Sequence, residues 1–160
     1  MPEKIFLGLG SNLGDRLKNL ESAIDAVRPH IAVTRRSSVY ETPPWGYAAQ
    51  NNFYNVAVEA ETELSPSELI RELKTVEQRL GRTLSFKYGP REIDIDILLY
   101  GQTSVTEADL TIPHPRLAER AFILVPLAEL APDLKVPGFN RTVTELLQSL
   151  NTSGITQVNP

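Results

Sequence analysis

Residues 91–100 read Arg-Glu-Ile-Asp-Ile-Asp-Ile-Leu-Leu-Tyr, and this stretch narrows the possible folds of the chain more than any other. Apolar residues at every second position mark a strand with one buried face. Ile93, Ile95, Ile97 and Leu99 take the core side, which leaves Asp94 and Asp96 together on the opposite side. Their Cα atoms are then about two strand rises apart, roughly 6.5–7 Å. Asp is depleted in strands, and like charges this close repel unless a cation compensates. A local rule broken in this way points to function. Mg²⁺ takes one or two carboxylates and completes its shell with water and substrate phosphates. The pair therefore suits two Mg²⁺ ions held against a triphosphate. Read alone, it also fits an exposed strand face with solvated aspartates.

The rest of the chain supplies partners for that strand. Lys4–Leu9 is a short apolar run stopped by Gly10-Ser-Asn, which reads as a buried strand. Leu13, Leu17, Leu20, Ile24 and Val27 recur at helical spacing, so residues 13–28 are expected to form an amphipathic helix capped by Ser11 or Asn12. Residues 31–41 are rich in Val, Thr, Ser and Tyr and should be extended, whereas 42–52, with Pro43, Pro44 and Gly46, should be irregular. From Phe53 to Glu61 the pattern alternates again, with Tyr54, Val56, Val58 and Ala60 on one side and Phe53, Asn55, Ala57 and Glu59 on the other. Ser65-Pro-Ser-Glu68 is a capping box with proline at the first helical position, followed by the stripe Leu69, Leu73, Val76, Leu80. A proline-marked loop, a helical stretch around 117–130 and a last helix from the box Thr142–Glu145 follow. The order β-α-β-β-α-β implies an α+β, ferredoxin-like core: an antiparallel sheet with helices on one face, plus C-terminal helices. No linker or repeat divides residues 1–160, so one domain is expected.

Arg79, Arg82, Lys87 and Arg91 lie between Glu77 and Glu92 with no acidic residue among them, in an irregular segment leading into the aspartate strand. Positioned positive charge beside carboxylates suits phosphoryl transfer. A solvated basic loop is the plainer reading, and adjacency to the aspartates weighs against it. Gly8-Leu-Gly10-Ser-Asn-Leu-Gly14 imitates a dinucleotide-binding turn, but its third glycine comes one residue late, and the motif reads instead as a tight turn with helix capping. A net charge of −4 argues against nucleic acid as the partner. The apolar run at Ile5–Leu9 is too short for a signal core or a span, so no membrane role and a cytoplasmic location are expected. The absence of cysteine excludes disulfides and thiolate metal sites.

With these residues assembled, the sequence resembles the 6-hydroxymethyl-7,8-dihydropterin pyrophosphokinase family over nearly its whole length. The resemblance is carried by Gly10-Ser-Asn-Leu13, Ser38-Val-Tyr-Glu-Thr-Pro-Pro44, Phe53-Tyr-Asn55, Glu77 with Gly81-Arg82, and Tyr88-Gly-Pro-Arg-Glu-Ile-Asp-Ile-Asp-Ile-Leu98. Ile112-Pro-His-Pro115 and Arg120-Ala-Phe122 complete the ordered set. It implies transfer of pyrophosphate from ATP to the pterin alcohol, releasing AMP, on the route to folate. It further implies that Asp94 and Asp96 are ligands of two Mg²⁺ ions, and that Arg82 and Arg91 engage the phosphates. Thr42, Pro43, Pro44, Phe53, Asn55, Tyr88 and Phe122 would form the pterin pocket, with the ring between Phe53 and Phe122. Glu77, Ile97, Leu98, His114 and Arg120 would lie at the nucleotide. The resemblance departs at Tyr88, where the family usually has tryptophan, and at Leu84 or Ser85, where a second arginine is common.

Two other classes start from the same residues: a non-catalytic ferredoxin-like module binding RNA or a regulatory ligand, and a nicotinamide-dependent oxidoreductase built on Gly8–Gly14. The acidic balance and the aspartate pair weigh against the first, the antiparallel pattern against the second. Small-molecule substrates, and a monomer or weak homodimer, are the expected partners and state.

Overall fold

A computed structural model describes residues 2–44, 48–81, 92–107 and 110–158. In chain order these form β1 (Glu3–Ser11), α1 (Arg16–Val27), β2 (Ala32–Arg36), β3 (Tyr40–Thr42), β4 (Phe53–Thr62), α2 (Pro66–Arg79), β5 (Asp94–Tyr100), β6 (Val105–Glu107) and β7 (Leu110–Ile112). A single 3₁₀ turn at Leu117–Glu119 leads into α3 (Ala121–Leu130), then β8 (Lys135–Val136), β9 (Arg141–Thr142), α4 (Val143–Gln148) and β10 (Thr156–Gln157). The main sheet is antiparallel in order β10-β3-β4-β1-β5, with β2 also paired to β4. The extended stretch at 31–41 is thus two short strands on one neighbour. Ser37 bridges them: its N–H donates to Ala57 O at 2.8 Å, and its Oγ accepts from Ala57 N at 2.9 Å.

Helices begin where polar side chains satisfy their open N–H groups. Both expected capping boxes form, Ser65 with Glu68 and Thr142 with Glu145. The first helix differs from expectation. It starts at Arg16, capped by Asp15, whose Oδ1 accepts from Lys18 N at 3.1 Å, and Leu17 is left exposed. Ser11 instead ends β1, and Gly10 lies within the strand rather than stopping it. The turn sits later, at Gly14, whose φ of 69° favours glycine.

The two core helices cover one face of the sheet, and the C-terminal helices cover the other, a placement the sequence did not specify. Ile5, Leu7 and Leu9 of β1, Val56, Val58 and Ala60 of β4, and Ile93, Ile95 and Ile97 pack against Leu20, Ile24 and Val27 of α1 and Leu69, Leu73 and Val76 of α2. On the other face, Phe6, Ala57, Leu98 and Leu99 meet Leu124 and Leu127 of α3 and Val143 and Leu146 of α4. Leu99 therefore leaves the face expected for it. The β1–β5 register jumps from Leu7 opposite Ile97 to Phe6 opposite Leu99, so one extra residue turns both leucines to the second face. Tyr100 takes up the first face instead, its hydroxyl donating to Leu64 O at 2.6 Å. The proline-marked segment also holds the small β6–β7 hairpin, which local sequence did not suggest. No described helix is long and apolar enough to cross a membrane.

Candidate active site

The second face of the sheet is filled at one end and open at the other. Register places Glu59, Phe6 and Leu99 in one row across β4, β1 and β5. The next rows are Ala57–Gly8–Asp96 and Asn55–Gly10–Asp94. Where Phe6 gives way to Gly8 and Gly10, side chains no longer fill the space, and a cleft of about 280 Å³ opens. Asp94 and Asp96 form one wall, with Asp96 exposed and Asp94 half-buried. Thr42, Pro43, Phe53 and Asn55 form the opposite wall, while His114, Arg120, Phe122 and Pro126 close the top.

Local chemistry fixes these groups. Thr42 ends β3 opposite Phe53, although 42–52 was expected to be wholly irregular. Asn55 Nδ2 donates to the buried Thr42 Oγ1 at 2.6 Å, tying two cleft residues into one polar unit. Arg120 stands at the break between the 3₁₀ turn and α3, its guanidinium 6.0 Å from the centroid of the Phe122 ring. His114 Nδ1 accepts from Arg116 N at 3.0 Å, which leaves Nε2 to carry the proton of the neutral ring. Burial, then the charges of Arg120 and Arg116, hold this imidazole below the ordinary histidine range. It is therefore a neutral donor at pH 7.

The profile of 7,8-dihydro-6-hydroxymethylpterin-pyrophosphokinase (HPPK) matches residues 6–132 of the chain. The chain belongs to this family. A 2-amino-4-hydroxy-6-hydroxymethyldihydropteridine pyrophosphokinase of Methylorubrum extorquens is 46% identical over 157 residues, covering 97% of this chain and 98% of that protein. The enzyme of the same name from Aquifex aeolicus is 42% identical, with 88% of each chain covered. Among solved structures, wild-type Plasmodium falciparum HPPK-DHPS superposes with a TM-score of 0.75 at 18% identity, over 92% of this chain and 44% of that longer one. That last likeness concerns the mixed α/β fold alone. The reaction of the family is pyrophosphoryl transfer to hydroxymethyldihydropterin in folate biosynthesis, and this is the reaction of the chain.

Most of the residues picked from the sequence meet in the cleft: Thr42, Pro43, Phe53, Asn55, Asp94, Asp96, Leu98, His114, Arg120 and Phe122 all line it. Pro44 is half-buried beside the lining but does not form part of it. Ile97 and Glu77 lie elsewhere. The Ile97 side chain is buried under the other face, against α1 and α2. Glu77, on α2, is 4% exposed, and its Oε2 accepts from Ile95 N at 2.7 Å. β5 is the edge strand of the sheet, so this carboxylate satisfies an outward N–H midway between the two aspartates. Arg82, Tyr88 and Arg91 lie outside the described residues, as do Lys87, Leu84 and Ser85.

Sequence reasoning missed Gly8, Gly10 and Ala57, the small residues of the cleft floor. Two glycines inside an otherwise apolar strand were the available signal. Ser11 and Asn12 of the same motif also have a structural task. Asn12 Nδ2 donates to Gln50 Oε1 at 2.8 Å and Asn51 O at 3.0 Å, and Asn19 Nδ2 donates to Leu13 O at 2.9 Å and Ser11 Oγ at 3.2 Å. The turn after β1 thereby holds the segment that delivers Phe53. The two aspartates also suit divalent cations by donor chemistry. They are hard, acceptor-only oxygens, and no group of three or more His, Cys, Asp or Glu that could hold a metal occurs among the described residues. A site with two carboxylates fits an ion that takes its remaining ligands from water and phosphate.

Proposed function

We propose that the pyrophosphate donor is ATP, that Asp94 and Asp96 hold two Mg²⁺ ions, and that the cleft binds pterin at its Asn55 end and nucleotide beyond the aspartates. The observation that carries this reading is the pair of rows Asn55–Gly10–Asp94 and Ala57–Gly8–Asp96, which sets an amide reader and two carboxylates on opposite sides of one glycine floor. Strand order β5-β1-β4-β3, with antiparallel neighbours throughout, supports a ferredoxin-like core as the frame for this floor. We take residues 1–160 as a single pyrophosphokinase domain.

The hydroxymethyl oxygen attacks the β-phosphorus of ATP in line. A new O–Pβ bond forms, the bond from Pβ to the α–β bridging oxygen breaks, AMP departs with that oxygen, and the hydroxyl proton passes to solvent. When bound, the two ions neutralise phosphate charge and acidify the hydroxyl. The protein supplies placement. Phe53 and Phe122 enclose the pterin ring, Asn55 with Thr42 reads its polar edge, and Pro43, Pro44 and Tyr88 border it. Arg82 and Arg91 engage the phosphates, while His114, Arg120 and Leu98 receive the nucleotide. Glu77 and Ile97 act through the backbone of β5, since their side chains are buried away from the cleft.

Product analysis tests the proposal. AMP and pterin pyrophosphate should appear together only when ATP, pterin alcohol and Mg²⁺ are all present. Equal release of ADP and phosphate, or full turnover with metal chelated, would contradict it.

A further inference from the structure

Gly8 and Gly10 sit in the middle of β1, where glycine weakens a strand relative to alanine. Neither is among the described glycines with positive φ, which are Gly14, Gly81, Gly101, Gly138 and Gly154. The backbone at Gly10 therefore admits any residue, and what glycine provides there is room. A Cβ on Gly10 would stand 2.6 Å from Asn55 Oδ1 and 3.5 Å from Phe53 Cδ2. A carbon and an oxygen cannot remain that close without bonding, so the Asn55 carboxamide would have to move. The atom displaced is the end of a side chain, so the strand can survive the change while the site cannot.

We infer that Gly10 is a positioning residue for substrate selectivity: its bare Cα seats the Asn55 carboxamide where Nδ2 reaches Thr42 Oγ1 and leaves the cleft floor flat beside Phe53. The ligand affected is the flat, polar-edged heterocycle, not the nucleotide. A side chain at position 10 swings the amide off Thr42 and raises the floor on which the ring lies. This inference rests on the assignment of Asn55 to the pterin half of the cleft.

The test is a double-mutant cycle read by calorimetry. The affinity for 6-hydroxymethyl-7,8-dihydropterin is measured, with Mg²⁺ and a non-hydrolysable ATP analogue present, for wild type, Gly10→Ala, Asn55→Ala and the double variant. Affinity for the ATP analogue alone and the thermal midpoint are recorded beside it. Gly10→Ala should fold with an unchanged or raised midpoint and bind the analogue within about twofold of wild type. It should bind the pterin roughly ten- to a hundredfold more weakly, as expected for a displaced polar reader. In the Asn55→Ala background the same change should cost less than about threefold, because the group it displaces is gone. Wild-type pterin affinity in Gly10→Ala, a full penalty in both backgrounds, or loss of the folded protein would each overturn the inference. Should Asn55→Ala itself bind pterin normally, the assignment of Asn55 falls, and the role of Gly10 falls with it. Weakened binding by Asn55→Ala but not by Gly10→Ala removes the role of Gly10 alone.

Discussion

β1, β4 and β5 show one side to α1 and α2 and the other to α3 and α4, and the two sides are built differently. Toward α1 and α2 the central rows are apolar and closed: Ile5, Leu7, Val56, Val58, Ile95 and Ile97 are each 6% exposed or less. Toward α3 and α4 the fill stops after Phe6 and Leu99. The next two rows carry glycine between a β4 residue and an aspartate. Alternation makes the division possible, since successive side chains of one strand point to opposite faces. The α1–α2 side is packed along its central rows, whereas the open end of the other side carries two carboxylates, small residues and a cleft. Activity and stability should therefore respond to different substitutions within the same three strands.

The largest effect separating the faces should come from Asp96→Ala. Turnover should fall by roughly 10³-fold or more while the thermal midpoint stays near wild type, because in the proposed role this exposed carboxylate serves a cation at the phosphates and not packing. Steady-state rates and a melting curve check this together. Leu73→Ala, on the closed face, should do the opposite. It should cost about 2–5 kcal/mol in denaturant unfolding, with KM for both substrates unchanged in the folded fraction. Glu77→Ala blurs the division, because it leaves the buried Ile95 N–H without its acceptor on the strand that carries both aspartates. A stability loss of about 1–3 kcal/mol together with a lower kcat is expected. Lowered stability at wild-type kcat would separate that carboxylate from the site.

The smallest effect concerns pH. His114 is held below its ordinary value by burial and by Arg120 and Arg116. A depressed value means the fold takes up the proton less readily than the unfolded chain does. The contribution of His114 is thus present above about pH 6.5 and lost as pH falls through the folded value. Unfolding free energy measured from pH 7.5 down to 5 should decline less steeply for His114→Gln than for wild type.

What could be read in the sequence follows from how local its cause is. The alternation through Asp94 and Asp96, the shared face of Phe53 and Asn55, and the boxes at Ser65 and Thr142 each depend on residues within a few positions, and each appears as expected. The bulge that turns Leu98 and Leu99 together depends on pairing with a strand some 90 residues away, so period-two counting assigned Leu99 to the wrong face. Gly8 and Gly10 were misread for a related reason. Glycine's local meaning is a turn, whereas here its use is to leave space demanded by Asn55 and Leu98 on neighbouring strands. Glu77 matched the family pattern, but its bond to the Ile95 amide shows only when α2 is laid on β5.

The central claim is that two aspartates on the open face are a cation site, and it is tested most directly by diffraction from crystals grown with Mn²⁺, a non-hydrolysable ATP analogue and the pterin alcohol. The account predicts two anomalous peaks at the open face, each within about 2.0–2.3 Å of a carboxylate oxygen of Asp94 or Asp96 and of a phosphate oxygen. Phosphates seated in the cleft with manganese bound elsewhere, and both carboxylates turned to solvent, would contradict it.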